Sequence, residues 1–270
     1  MPGILVSLAL GLVALTTVFP LYFMLSSSLK GTGEYLHNLM GLPLAPSLNN
    51  YAKLFRQFSV LHMALSSTIV NVAMLVLSSV ICSLAAFVFA KFPYRGSSLI
   101  YRSIISCMMI PPIVLLIPVY LMMSRMGLIN NYLSLILFYT AMVIPFSIYL
   151  MVANFKMIPN ELIESAMIDG AGLFGIYRHI ILPLGKSVTL TLVTLNFLWG
   201  WNEFLYALLF LQTMDLRTLT VGVAVVIGKR VVDTPLLMAG LLINSIPVLL
   251  VFGFANKFLV RGLVAGALKG

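Results

Sequence analysis

The chain has 270 residues, 61% of them hydrophobic and 9% charged, with a mean hydropathy of +1.09. A soluble domain carries about a quarter charged residues and roughly 45–50% apolar ones, so a water-facing globule is excluded and a polytopic all-α membrane protein is indicated. The net charge of +9 does not redirect this reading to nucleic acid, because the 16 Lys and Arg stand singly in connectors, without a basic stripe or interleaved aromatics.

A hydrocarbon core about 30 Å thick needs about 20 helical residues. Six apolar runs of that size follow one another, at 4–25, 67–90, 99–123, 132–152, 188–211 and 236–256. The first lies behind Met-Pro-Gly-Ile, lacks a positive n-region and outlasts the ~7–15 residues of a signal-peptide core, so it is expected to be a retained span. Proline interrupts several runs: Pro20 in the first, Pro111, Pro112 and Pro118 in the third, Pro145 in the fourth and Pro247 in the sixth. Each removes a backbone donor, which lipid tolerates where neighbouring helices or a water-filled cavity satisfy the freed carbonyl. That suits a transporter, and static packing accounts for it equally. Cys82 and Cys107 fall inside apolar runs and read as small hydrophobes rather than disulfide or metal partners.

An even number of spans puts both termini on one side. Connector 26–66 is long and polar and holds His37 and His62, while 91–98 and 124–131 are tight turns. Connectors 153–187, on the side of the termini, and 212–235, opposite, are where partners are expected. The terminal side carries Lys91, Arg95, Lys156, Arg178, Lys186, Lys257, Arg261 and Lys269; the other carries Lys30, Lys53, Arg56, Arg125, Arg217, Lys229 and Arg230. Charge density on the shorter connectors favours termini inside only slightly.

Connector 153–187 predicts a short extramembrane helix. Asn160 is placed as its N-cap, Glu161 and Glu164 at its positive end, and Gly170 as its stop. At 100° per residue, Leu162, Ile163, Ala166 and Met167 share one face; Glu161, Glu164, Ser165 and Asp169 lie on the other, with Ile168 out of place. Such a helix either rests on its own bundle or docks a cytoplasmic partner. Gly170-Ala-Gly-Leu-Phe-Gly175 matches a dinucleotide pattern but lacks the strand that pattern requires. Gly185-Lys186-Ser187 lacks the first glycine of a phosphate loop, that position being Ile180, so the chain is not expected to bind ATP.

Glu164-Ser165-Ala166, three residues, Gly170, nine residues, then Ile180-x-Leu182-Pro183 resembles the EAA signature of permease subunits of binding-protein-dependent ABC importers. Ser165 departs from the family's usual alanine, a small-for-small change. Residues 197–204, Phe-Leu-Trp-Gly-Trp-Asn-Glu-Phe, are similar to the fifth-span segment of the carbohydrate-uptake branch, of which the maltose-transporter permease is a familiar member. The resemblance covers essentially all six spans. It implies the type I importer permease fold over 1–270, paired with a second permease, with two ATP-binding-cassette subunits on the cytoplasmic side and an extracytoplasmic sugar-binding protein on the other. ATP and Mg would then be bound by the ATPases, with no cofactor in this chain. It also implies a prokaryotic cytoplasmic membrane location, termini inside. Glu164, Ala166, Asp169, Gly170 and Ala171 carry over as coupling positions against the ATPase, on the helix that Glu161 opens.

An acid at the centre of a span costs at least ~2.5 kcal/mol on insertion scales, so Glu203 is expected to face a cavity or a partner. Asn196, Trp199, Gly200, Glu203 and Ala207 fall on one arc of the fifth run, and Asn202 lies beside them. The mixture suits a sugar, whose hydroxyls need hydrogen bonds while its C–H faces stack on aromatic rings. It suits the interface with a second permease as well, where small and polar residues gather. Asn71 and Asn244 read as interhelical contacts. Connector 212–235 reads as an exposed loop, with an apolar stretch at 219–227 followed by Lys229, Arg230 and Asp233; by resemblance it faces the binding protein. The alternative function is an ion-coupled carrier using Glu203. An intramembrane enzyme is disfavoured because all three histidines lie in expected connectors and neither HExxH nor GxSxG occurs, so no catalytic residue is expected.

Overall fold

A computed structural model describes residues 2–227 and 233–267, and gives the backbone alone for 2–5, 8, 9, 226, 227 and 256–267. Lys229, Arg230 and Lys269, and the side chains of Lys257 and Arg261, lie outside the described residues. The described residues are mainly helical and form no strand. Among the described residues four helices are long and apolar enough to cross a membrane: α1 (Pro2–Ser28), α4 (Val60–Lys91), α7 (Tyr132–Lys156) and α14 (Thr234–Ala267). Two bent pairs raise the number to six if each pair is one span.

The first bent pair stands where the third span is expected, and it breaks at the prolines expected to interrupt that run. α5 (Ser97–Ser106) runs into a 3-10 turn at Cys107–Met109. A second turn at Pro112–Leu115 then leads into α6 (Leu116–Arg125), 93° away. Tandem prolines explain this break. Pro111 and Pro112 remove two adjacent donors, and each pushes the residue before it out of the helical region: Ile110 has ψ 114° and Pro111 ψ 130°. Pro20, Pro145 and Pro247, each alone, sit inside continuous helices.

The second bent pair starts in the connector before the fifth run. α8 (Glu161–Ile168) and α9 (Leu173–Ile176) precede a π-helical turn at Tyr177–Ile181 and α10 (Leu182–Leu184). After a 73° bend, α11 (Lys186–Asn202) follows. The bend closes at Gly185, where a Cβ would collide with the Phe155 ring and approach the Ile181 carbonyl. This close approach explains the glycine of the spurious phosphate-loop match. The expected helix over 188–211 also ends early, at Asn202, and resumes as α12 (Leu205–Phe210).

The chain divides into two compact units, residues 1–65 with 217–249, and 66–216 with 250–270. In the first unit, α2 (Thr32–His37) and α3 (Asn49–Gln57) occupy the connector after α1, and α4 begins early enough to take His62 out of it. The expected exposed loop at 219–227 is instead helical: α13 (Leu219–Val221) and a π-helical turn at Gly222–Ile227 bury Leu219, Val221 and Val223. Its apolar side chains drive this, and Gly222 admits the Met63 side chain where a Cβ would clash. Asn244 Oδ1 accepts from Thr220 Oγ1 at 3.3 Å, the contact between segments expected of it. Asp233 accepts from the Leu236 N–H at 3.3 Å at the start of α14 and lies 3.9 Å from Lys53 Nζ.

In the second unit α7 is central, with half of its most apolar window buried against 11% for α1. Ile148, Met151 and Phe155 of α7 pack with Cys82 and Phe87 of α4, Ile163, Ile176 and Ile181 of the connector and Leu192 of α11. Connector 153–187 is thereby continuous with the core of the long apolar helices.

Candidate functional site

Two places in the second unit concentrate the residues singled out in the sequence. The first is α8 and its stop. Asp169 is the C-cap, and Gly170 follows in the left-handed region at φ +84°. The Gly170 N–H donates to the Met167 carbonyl at 3.1 Å and the Ala171 N–H to the Ala166 carbonyl at 2.9 Å. These two bonds form a Schellman stop, in which glycine alone avoids a Cβ penalty. A Cβ on Gly170 would meet nothing within 4 Å, so its constraint is backbone conformation rather than space.

The start of α8 differs from expectation. Asn160 is already helical, at φ −71° and ψ −26°, and its side chain makes no capping bond. A cap needs an extended backbone that turns the side chain onto the first amides. Here Asn160 Oδ1 instead accepts from Lys91 Nζ at 2.8 Å, and the same ammonium donates to the Ile158 carbonyl. The end of α4 is thus tied to the beginning of α8.

Of the expected apolar face, only Ile163 is buried and Ala166 partly so. Leu162 and Met167 are exposed, as are Leu173 and Phe174, and Ile168 reaches 86% exposure. Glu161, Glu164, Ser165 and Asp169 are exposed and Ala171 is partly buried. α8 therefore presents acids and a ring of uncovered apolar side chains together. Behind it, Tyr177 OH and Ser83 Oγ share a 2.6 Å hydrogen bond, and Tyr177 packs against Phe87 and Phe174. Sequence reasoning missed this anchor; the only signal was a tyrosine in an apolar stretch.

The second place is the break in the fifth span. Glu203 sits in extended backbone, φ −65° and ψ 125°, so the expected arc ends at Asn202. Its Oε2 accepts from Tyr139 OH at 2.6 Å and from the Ala207 N–H at 3.1 Å; its Oε1 accepts from the Tyr206 N–H at 2.9 Å. The carboxyl group thus caps α12, supplying acceptors to amides that a helix start leaves orphaned. Trp199 stands edge-on to Tyr139 with ring centroids 5.1 Å apart. Tyr206 OH reaches the Pro112 carbonyl at 2.6 Å, joining this break to that of the third span. Asn130, at φ 59°, takes the Gln212 and Thr213 amides on its side-chain oxygen and so holds the far end of α12.

The remaining arc residues divide. Asn196 and Trp199 line a cleft of about 340 Å³ with Met142, Val143, Phe146 and Leu195. Asn196 is buried and donates to Ser147 Oγ at 3.1 Å. Gly200 is also buried and faces α4, where a Cβ would press on Asn71 Oδ1 and Met74. Asn71 itself donates to Ser67 of its own helix, so it makes a steric rather than a hydrogen-bonded interhelical contact. Asn202 is exposed and donates back to the Leu198 carbonyl at 2.8 Å. A larger cavity of about 690 Å³ between the break of the third span, α6 and α7 is lined mainly by apolar side chains, among them Met108, Met122, Met126 and Met142.

A multi-pass helical subunit whose core extends into a short helix stopped at Gly170 is the class these features define. The chain belongs to the family of binding-protein-dependent transport system inner membrane components, which matches residues 78–264. It is a transport subunit rather than an enzyme, and the ion-coupled carrier is not supported. It is 30% identical to the melibiose/raffinose/stachyose import permease protein MelC of Bacillus subtilis, over 98% of this chain and 96% of that one. Identity to the trehalose/maltose transport system permease protein MalG of Thermococcus litoralis is 32%, over 96% and 94% of the two chains. A chain in the crystal structure of a bacterial ABC transporter involved in the import of the acidic polysaccharide alginate shares the fold, with a TM-score of 0.85 and 22% identity over 94% of this chain and 95% of that one.

Proposed function

We propose that the whole chain works as one permease domain of an ATP-driven importer, forming half of the pathway for a sugar or sugar derivative in a prokaryotic cytoplasmic membrane. It pairs with a second permease and receives substrate from an extracytoplasmic binding protein. Two ATPase subunits, which hold the ATP and Mg, seat α8. The single observation that supports this most is the form of α8. It is stopped at Gly170, tied to α4 through Lys91 and joined to the core through Ile163, yet it displays Glu161, Glu164, Asp169 and apolar side chains outward. A helix held in this way moves as a unit with the bundle, which is what transmission of ATPase closure requires. The termini and connector 153–187 are then cytoplasmic. Asn196 and Trp199 border the pathway, where an amide and an indole suit a sugar's hydroxyls and C–H faces.

Sugar-named relatives support the substrate class. The experiment is ligand-stimulated ATPase and uptake in the reconstituted assembly, across a sugar panel, with Asp169→Lys beside the unaltered chain. The expected outcome is stimulation by at least one sugar, and in the variant a loss of coupled uptake with assembly into the membrane unchanged. Full coupling in Asp169→Lys would remove α8 from the ATPase contact.

A further inference from the structure

The connector after α1 contains a non-helical turn, and its hydrogen bonding is unusual. Five consecutive carbonyls, from Asn38 to Leu42, each receive a side-chain donor. Lys30 Nζ, fully buried, donates to the carbonyls of Asn38 at 2.7 Å, Leu39 at 3.3 Å and Gly41 at 2.7 Å. Tyr22 OH donates to Met40 at 3.0 Å, Ser26 Oγ to Gly41 at 2.8 Å and Asn38 Nδ2 to Leu42 at 2.9 Å. Backbone carbonyls exposed to water need no such provision.

The donors also fix where the turn lies. Tyr22 is six residues before Ser28, the last residue of α1, and six residues of helix rise about 9 Å. Helical side chains lean toward the N-terminus, so the Tyr22 hydroxyl lies no nearer the end of α1 than its own backbone does. The Met40 carbonyl therefore sits alongside the shaft of α1, well short of its end. The apolar run 4–25 has 22 residues, about 33 Å of helix against a hydrocarbon core of about 30 Å, and Tyr22 lies three residues, about 4–5 Å, inside its end, so this level falls at the outer edge of the hydrocarbon.

The outward side chains agree. Leu39, Met40 and Leu42 are 49%, 62% and 70% exposed. No charged residue occurs between Asn38 and Leu48. The exposed face continues that of α1, where Val18, Leu21 and Leu25 are uncovered.

We propose that residues 38–42 form a membrane-seated turn, with Leu39, Met40 and Leu42 in contact with lipid acyl chains in the leaflet at the C-terminal end of α1, while Leu44, whose N–H donates to the Glu34 carboxylate, lies on the water side. Irregular backbone withstands hydrocarbon only where its polar groups are satisfied internally, and Lys30, Tyr22, Ser26 and Asn38 do this for the carbonyls. A buried ammonium with three carbonyl acceptors is saturated, so Lys30 acts as the staple of the turn. A protein partner would find only aliphatic side chains on a turn sunk below the end of its span.

The test uses the full chain in vesicles of phosphatidylethanolamine and phosphatidylglycerol, with Cys107→Ser to remove the exposed native thiol. Spin labels are placed at Met40→Cys and Leu42→Cys, with Val13→Cys on α1 as the lipid reference and Arg95→Cys in a tight turn as the water reference. Broadening by a water-soluble nickel chelate should be lost at 40 and 42, as at 13, while broadening by oxygen persists. Nickel access matching position 95 would overturn the proposal. So would exclusion of both reagents, the signature of a protein seated on the turn. In the Lys30→Met background nickel access at position 42 should rise as the unstapled turn leaves the hydrocarbon; no change there would overturn the staple.

Discussion

The stop of α8 and the break at Glu203 are both places where a helix ends and a named residue resolves its end, yet they are built differently. At α8 the bonds run between residues five or fewer apart, Gly170 to Met167 and Ala171 to Ala166. At the break, the Glu203 carboxyl draws on Tyr139 of α7, and Tyr206 of α12 reaches Pro112, 94 residues away. The first is a local device that can move as one piece. The second is a junction between spans, and altering it alters how they fit together.

The comparison breaks most visibly at Glu203. In Glu203→Leu, the buried Tyr139 hydroxyl and the Tyr206 and Ala207 amides all lose their acceptor. At about 1–3 kcal/mol for each unsatisfied buried group, the loss is about 3 kcal/mol or more. Thermal unfolding of the purified subunit in detergent should show it. Glu203→Gln keeps one acceptor and offers an amide that the tyrosine can accept from, so stability and uptake should largely survive. An intramembrane proton carrier would lose uptake in both variants, and loss in Glu203→Gln would sink the capping role.

Gly170→Ala is expected to act next in size and differently. The variant meets no steric obstacle but holds a Cβ at φ +84°, at about 1–2 kcal/mol. Since the bonds of the stop are local, the strain should fall on the geometry of α8 rather than on the fold. The measured signature is ATP hydrolysed per sugar imported, raised while the unfolding temperature moves little. Gly170→Asn should be milder, because asparagine visits the left-handed region more readily. A large drop in stability without uncoupling would mean that the stop is part of the fold and not of the transmission.

What the sequence made legible follows the same division. The helical class, four apolar runs as continuous helices and the Gly170 stop depend on composition and near neighbours, and the described residues show them, while the third and fifth runs are broken. Pro111 and Pro112 flagged a disturbance in the third run, but the 93° bend needed both prolines acting on consecutive residues. The break at Glu203 carries no proline or glycine at the break itself. Its only signal was an acid preceding a short apolar run, which also reads as a pore residue. The apolar stretch at 219–227 reads as loop because its residues lie between two spans, and burial of Leu219, Val221 and Val223 overrides that position.

Asn160 is the finest test of the division, because local preference and distant partner compete at one side chain. A local N-cap lost to alanine costs about 1 kcal/mol, independent of what happens 69 residues away. In the structure its oxygen serves Lys91, which also holds the Ile158 carbonyl. The cycle of Asn160→Ala, Lys91→Met and both together separates these. Two contacting residues of one polar network are non-additive, and a partly exposed pair predicts a coupling of about 0.5 kcal/mol in unfolding free energy. Additive losses would make Asn160 a cap after all and cut the tie between α4 and α8. Coupling would instead place the end of the second span in the mechanical path, so that Lys91→Met alone should loosen the link between hydrolysis and uptake even with α8 intact.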